Sequence, residues 1–238
     1  FPPDDKMRWA MPTTVLLVLA ALSCVASLGQ RQSPIDLMPA QAQVARNNNG
    51  NLLQIHLGSA PGTLVHKGNT VQVDWSAGPK SRLVLDGNSY KALQLHFHAG
   101  SDHRVNGHQF PLEMHIVHQS VTDPTQLAVV GVLFEVSTHM NPFLTQFFPL
   151  LPQHPSGKMP PIKQLRGKLL GIHRGHQFYR YSGSLTAGSF SENVEWVVLS
   201  TPQPISHEQL NTYLRLFPKS SARDTQPLHG RVVTLVEL

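Results

Sequence analysis

Short stretches of alternating apolar and polar residues dominate the chain, cut by frequent turn residues. Val71, Val73 and Trp75 alternate with polar neighbours, the period of two imposed by a half-buried strand. Leu127 to Phe134 is a continuous apolar run, the mark of a strand covered on both faces. Val194 to Leu199 and Val232 to Val236 are similar, each interrupted by one polar residue. Proline (19) and glycine (17) recur throughout, as expected of many short strands joined by turns. Helical signals are fewer. Ser206-His207-Glu208-Gln209 reads as a capping box ahead of Leu210, Leu214 and Leu216. Asn141 to Leu151 predicts a short helix stopped by Pro152. No internal repeat or low-complexity linker lies between Gln30 and Leu238. The pattern predicts a mainly β single domain with a few short surface helices.

The first residues carry a different signal. Lys6 and Arg8 precede a stretch without charge until Arg31, whose centre, Val15 to Leu22, is strongly apolar. Cys24-Val25-Ala26 then offers small residues for signal peptidase, so residues 1–26 read as a signal peptide and 27–238 as the mature domain. An uncleaved membrane anchor and a lipid anchor on Cys24 are the other readings of the same segment. The expected location is secreted, extracellular or periplasm-like, with membrane attachment only if the segment is retained. Cys24 is the only cysteine, so cleavage after Ala26 leaves a chain without disulfides.

Composition narrows the function classes. Hydrophobic residues make up 40% of the 238, enough for a sizeable core. The net charge is +5, but no Lys/Arg cluster interleaved with aromatics accompanies it, which argues against a nucleic-acid partner. Nothing predicts an obligate protein partner. Fourteen histidines stand out, because imidazole is the commonest metal ligand and a proton carrier near neutral pH.

Two segments organise those histidines. In Leu93-Gln94-Leu95-His96-Phe97-His98-Ala99, strand alternation puts Leu93, Leu95, Phe97 and Ala99 on one face and Gln94, His96 and His98 on the other. In Leu112 to His118, Glu113, His115 and Val117 share a face opposite Leu112, Met114 and Ile116. Zinc needs ligands that converge from one side, and ligating histidines usually give their other N–H to an outer oxygen. Gln94 and Glu113 suit that outer role. With 14 histidines in 238 positions, about one H-x-H arises by chance. The pattern alone therefore leaves open a zinc site or histidines satisfied by their neighbours. His118 faces away and reads as a buried structural residue; His103, His173 and His176 have no such context and read as non-ligands. Three histidines without a fourth ligand suit a catalytic zinc with an open position rather than a structural one.

These residues resemble the α-carbonic anhydrases, whose hallmark is a strand H-x-H followed by E-x-H. Gln32-Ser33-Pro34-Ile35-Asp36, Leu95 to Gly100, Glu113 to His118, Leu127 to Gly131, Tyr181 to Thr186 and Ser191 to Trp196 match family segments in order and at family-like spacing. The resemblance runs from Gln32 to about Arg231. It implies one large, twisted, mostly antiparallel sheet around a conical zinc cleft. It further implies Zn2+ on His96, His98 and His115, and reversible hydration of carbon dioxide to bicarbonate. By resemblance Val117, Val129, Leu185, Val194 and Trp196 form an apolar wall for the substrate. Thr186 orients the nucleophile and donates its own hydrogen bond to Asp102.

Several positions depart from the family. Asn69 stands where faster members carry a proton-shuttling histidine, and Asp102 replaces the usual glutamate, one methylene shorter. Ala187-Gly188-Ser189 replaces Thr-Pro-Pro, Ala99 replaces a tryptophan, and Phe190 sits where secreted members often have cysteine. The usual N-terminal aromatic segment is absent before Gln32. These departures keep alive an alternative reading as a catalytically weak or inactive relative serving in binding or matrix assembly. A cupin-type metal oxygenase also uses H-x-H on a strand, but the accompanying glycine pattern is missing.

Overall fold

The computed structural model describes residues 29–151, 160–172 and 175–238. The predicted leader, with Cys24, lies outside them, as do Pro152 and His173. Among the described residues no helix is long and apolar enough to cross a membrane.

The strands follow the turn punctuation of the sequence. They are β1 (Asp36–Leu37), β2 (Gln43–Ala45), β3 (Leu53–His56), β4 (Ser59–His66), β5 (Val71–Asp74), β6 (Arg82–Leu85), β7 (Asn88–Ala99) and β8 (Arg104–Val105). The second half adds β9 (His108–Gln109), β10 (Leu112–Ser120), β11 (Leu127–Ser137), β12 (Ile162–Arg166), β13 (Gln177–Ser184), β14 (Glu192–Leu199), β15 (Gln203–Ser206) and β16 (Thr234–Glu237). Thirteen of them join one sheet whose main path runs β12-β4-β5-β7-β10-β11-β14-β13-β16-β2. Its described pairings are antiparallel except β11 with β14, β11 with β15 and β16 with β2. β1, β8 and β9 form a small separate sheet. The expected mainly β fold with one dominant sheet is what the chain adopts.

The sheet has two apolar faces. On one, Leu95, Phe97, Met114, Ile116, Val130 and Val132 pack with Phe143, Phe147, Phe148 and the helix His207–Leu216. The other gathers Ile35, Val117, Val129, Tyr181, Val194 and Trp196. The helix begins as its sequence requires. Ser206 accepts from the Gln209 N–H, and the Gln209 side chain returns to the Ser206 N–H, which satisfies two otherwise orphaned donors.

Three expectations change. Leu93 does not join the core face with Leu95; it is 39% exposed. β10 pairs Val117 with Gln94 but His118 with Ala92, so Leu93 is the extra residue of a bulge and the alternation restarts beyond it. Asn141 to Leu151 forms two 3-10 turns, Leu144–Gln146 and Phe148–Leu150, rather than a helix. Pro149 lies in the second turn, where it lacks an N–H and disfavours α geometry at Phe148. β16 starts only at Thr234, after positive-φ residues His229 and Gly230, and leaves Val232 exposed.

His118 is buried as expected and donates its Nδ1–H to the Ile116 carbonyl at 2.9 Å. Burial pushes its pKa down from 6.5 to about 4. The unfolded chain therefore takes up a proton below pH 6.5 that the fold refuses, so this stabilisation is intact above about pH 6.5 and is lost toward pH 4. The gap corresponds to about 3 kcal/mol. Urea unfolding of the protein and of His118→Leu should show the native chain losing about 3 kcal/mol more than the variant between pH 7 and pH 4. Parallel curves would show that His118 is not the group responsible.

Candidate metal centre

The register of the two histidine strands assembles the site. His115 lies directly opposite His96, and Glu113 opposite His98, in the β7–β10 ladder. Side chains opposed in this way stand within contact distance. The imidazoles meet, with ring centroids 5.2 Å apart for His96 and His98, 5.3 Å for His96 and His115, and 4.6 Å for His98 and His115. One nitrogen from each lies within 4.8 Å of the others. His98 and His115 are buried, while His96 is partly open to solvent, so the group is reached from the His96 side.

The outer nitrogens decide which inner ones are free. His96 Nδ1 lies 2.9 Å from Gln94 Oε1, and His115 Nε2 lies 2.8 Å from Glu113 Oε1. Both oxygens are acceptors, so each histidine donates there and keeps its other nitrogen as a lone pair. His98 Nδ1 is 3.4 Å from the Ser221 carbonyl. Its Nε2 is buried without any hydrogen-bond partner. A fully buried polar nitrogen is rarely left unpaired, and an imidazole lone pair facing two others is the donor set that zinc takes. Burial holds His98 below its usual pKa, and burial together with the His115 and His98 rings holds His96 well below it. Both are therefore neutral at neutral pH, the form that binds metal. The residues fit zinc.

Gln94 and Glu113 occupy the outer positions read from the sequence. His103, which the sequence left as a bystander, proves to be part of the same network. Its Nδ1 is 2.7 Å from Glu113 Oε1, its N–H donates to Glu113 Oε2 at 2.8 Å, and its Nε2 is 2.6 Å from the Tyr181 hydroxyl. That hydroxyl donates to Ser33 Oγ at 2.9 Å. Burial would raise the Glu113 pKa, but His103 and then His115 hold it well below the carboxylate range. Against burial, the Glu113 carboxylate raises His115. His103, Glu113 and His115 are themselves close enough to surround a metal. Their facing atoms are already joined through protons, however, which leaves the first trio as the group whose lone pairs are free to take a metal. The adjacent S-D-H and the Y-x-G-S-L-T segment were the signals that could have flagged His103 and Tyr181.

Asp102 and Thr186 are not joined. Asp102 Oδ1 accepts the Arg223 N–H at 2.8 Å, and Oδ2, fully buried, has no hydrogen-bond partner. Among the described residues no hydrogen bond links it to Thr186, which sits 8% exposed on the loop after β13. The loop itself has changed. Gly188 has φ +69, a conformation closed to the proline of the family pattern. Phe190, at φ +53, lies under the Arg223 guanidinium, 3.8 Å from its ring centre. Arg223 also donates to Gln32 Oε1 and the Ser33 carbonyl at 3.0 and 2.6 Å.

The residues expected to form an apolar wall do come together. Val117 pairs with Val129 and Val129 with Trp196, while Val194 pairs with Gly183. Leu185 packs against the same cluster, and Trp196 meets the His115 ring edge-on at 4.8 Å. Asn69 is exposed in the turn between β4 and β5.

Known proteins share this arrangement. A carbonic anhydrase of Nostoc sp. is 34% identical over 207 residues, 87% of this chain and 76% of the relative. The α-carbonic anhydrase of Thermovibrio ammonificans, solved with the inhibitor sulfanilamide, superposes with a TM-score of 0.75 at 32% identity, covering 87% of this chain and 88% of that one. Dioscorin, solved with ascorbate, superposes with a TM-score of 0.78 at 28% identity, covering 88% and 87%. The sequence model of the eukaryotic-type carbonic anhydrases matches residues 21–237, and the chain belongs to that family of enzymes.

Proposed function

We propose that this carbonic anhydrase hydrates carbon dioxide with zinc held by His96, His98 and His115. The observation that carries the reading is the trio of converging lone pairs, with the His98 Nε2 buried and unpartnered at its centre. When bound, zinc supplies a Lewis acid that makes water nucleophilic near neutral pH, behaviour for which carbonic anhydrases are the reference case. Gln94 and Glu113 fix the tautomers of His96 and His115, so that the binding nitrogens carry no proton. Val117, Val129, Leu185, Val194 and Trp196 offer carbon dioxide, an uncharged molecule without donors, an apolar surface. Thr186, next to Leu185, contributes the hydroxyl that orients the nucleophile, a positioning effect.

Bicarbonate leaves the site before the proton does. Asn69 cannot carry a proton at these pH values, and a positioned acid–base group is typically worth ~10²–10⁴-fold. Export therefore depends on buffer. The leader read at residues 1–26 supports a secreted or periplasm-like location as part of the same proposal, with membrane anchoring as its alternative. A second reading, a binding relative without turnover, draws support from the unpartnered Asp102 Oδ2 and from the likeness to dioscorin, whose structure holds ascorbate.

Stopped-flow hydration by residues 27–238 with stoichiometric zinc separates the two. Activity should need His115, falling to background in His115→Ala, and should rise with imidazole in weak buffer. A folded, zinc-loaded protein no faster than His115→Ala would leave the binding reading standing. Asn69→His should raise kcat in weak buffer by ten-fold or more and flatten the response to imidazole. An unchanged kcat would show that proton export is not limiting.

A further inference from the structure

A basic hollow lies beside β3, away from the metal centre, and we infer that it binds an organic phosphate carrying at least two negative charges. Its larger part, of about 930 Å³, meets a smaller one of about 370 Å³, and the two share His56 and Lys80. Arg82 lines the first and Lys168 the second, and neither part is lined by an aspartate or glutamate. Among the described residues no carboxylate side chain pairs with Lys80, Arg82 or Lys168. Cations gathered in a concave surface without counter-charge focus a potential that draws anions. In the strand ladders His56 lies opposite Arg82, and Leu83 opposite Tyr90 of β7. From Tyr90 to His96 the strand runs ~20 Å, so the two sites are separate.

The backbone holds the cations in place. Gly58 donates its N–H to Ser81 Oγ at 3.2 Å, in the loop that carries Lys80, and its carbonyl accepts from Gly167 at 2.7 Å, beside Lys168. A Cβ at Gly167 would stand 2.4 Å from that of Leu57, so this close approach needs glycine. Arg82 gives one N–H to Gln54 Oε1 at 3.1 Å, which orients the guanidinium and leaves its other donors for a ligand. β3 pairs with β6 alone, so its second edge is open. Asn47 closes that edge at Leu53, accepting its N–H at 3.1 Å and donating to its carbonyl at 2.7 Å. Strand alternation turns Ile55, two residues on, to the same edge. That short open stretch offers a neutral donor to a phosphate oxygen but too little ladder for an added peptide strand. Leu53, Ile55, Ile172 and Leu238 give the larger part an apolar side. A multivalent phosphate on an apolar body meets both halves of the hollow.

Calorimetric titration of the protein with ADP at physiological ionic strength should give saturable one-to-one binding. Amide shifts should move at Ile55, Ser81 and Gly167 and stay still at His96 and His115. Lys80→Glu and Arg82→Glu change exposed side chains, and each should weaken binding about ten-fold or more, the worth of a hydrogen bond to a charged group. Lys91→Glu, the same change of charge outside the hollow, should leave the affinity as it was. Tripolyphosphate should compete with ADP but bind roughly ten-fold more weakly, because it leaves the apolar side uncovered. Affinity unmoved by Lys80→Glu and Arg82→Glu, shifts confined to the metal centre, or no saturation by either probe overturns the inference. Tripolyphosphate binding as tightly as ADP overturns the organic body. Hexaglutamate binding more tightly than ADP overturns the phosphate in favour of an acidic peptide.

Discussion

A fully buried carboxylate is the constraint around which the site is built. Glu113 has no access to solvent, yet remains charged because three donors surround it: His115 Nε2, His103 Nδ1 and the His103 N–H, at 2.7–2.8 Å. Burying a charge costs several kcal/mol and is tolerated only with this kind of geometry. The surroundings are correspondingly exact. A side chain at Gly131, two strand positions from Val129, would put its Cβ 3.2 Å from Glu113 Oε1 and 3.3 Å from the Val198 side chain, so the carboxylate or Val198 would have to shift to admit it. Beyond His103 the network runs through Tyr181 to Ser33, which ties the N-terminal segment to the middle of the sheet. His115, the sheet centre and the segment around Ser33 therefore share one electrostatic anchor.

The sheet makes that anchor compatible with a stable core. β7 and β10 put their polar set on the face shared with Trp196 and their apolar set on the face covered by the helix and the 3-10 turns. The bulge at Leu93 is what confines the arrangement. Before it Tyr90 and Ala92 point into the core; after it Leu95, Phe97 and Ala99 do. One extra residue shifts the register between Gln94 and Ala92, so that a twelve-residue strand keeps apolar side chains on the core face on both sides of the bulge.

What was legible in the sequence follows from this. His96, His98 and His115 with Gln94 and Glu113 could be read because strand periodicity is local: residues two apart share a face whatever the rest of the chain does. The wall of Val117, Val129, Val194 and Trp196 could not be read that way. It came from family resemblance, since it is made by three strands whose register is set over the whole sheet. His103 escaped because its partners, Glu113 and Tyr181, lie 10 and 78 residues away. Arg223 and Ser221 escaped for the same reason, and nothing local marks them. The predicted helix at Asn141 failed where Pro149, inside the segment, outweighed an apolar pattern. The hydrogen bond expected between Asp102 and Thr186 is not formed; Asp102 Oδ1 accepts the Arg223 N–H instead, from a residue 121 positions away that nothing local marks.

The two departures that bear on turnover fall on different halves of the catalytic cycle. On the proposed mechanism kcat/KM for carbon dioxide ends when bicarbonate leaves, so it would contain the orientation of the nucleophile by Thr186 but nothing of proton export. Asn69 acts after that point and enters kcat alone. On that mechanism a Thr186 hydroxyl without an acidic partner would cost transition-state positioning that no buffer restores, whereas a missing shuttle at Asn69 is one that buffer can replace. A chain carrying both has a lowered ceiling on carbon dioxide conversion and, beneath it, a dependence on external base. The two effects are separable: a response of kcat alone to buffer marks proton export, and a lowered kcat/KM that buffer leaves unchanged marks the positioning of the nucleophile.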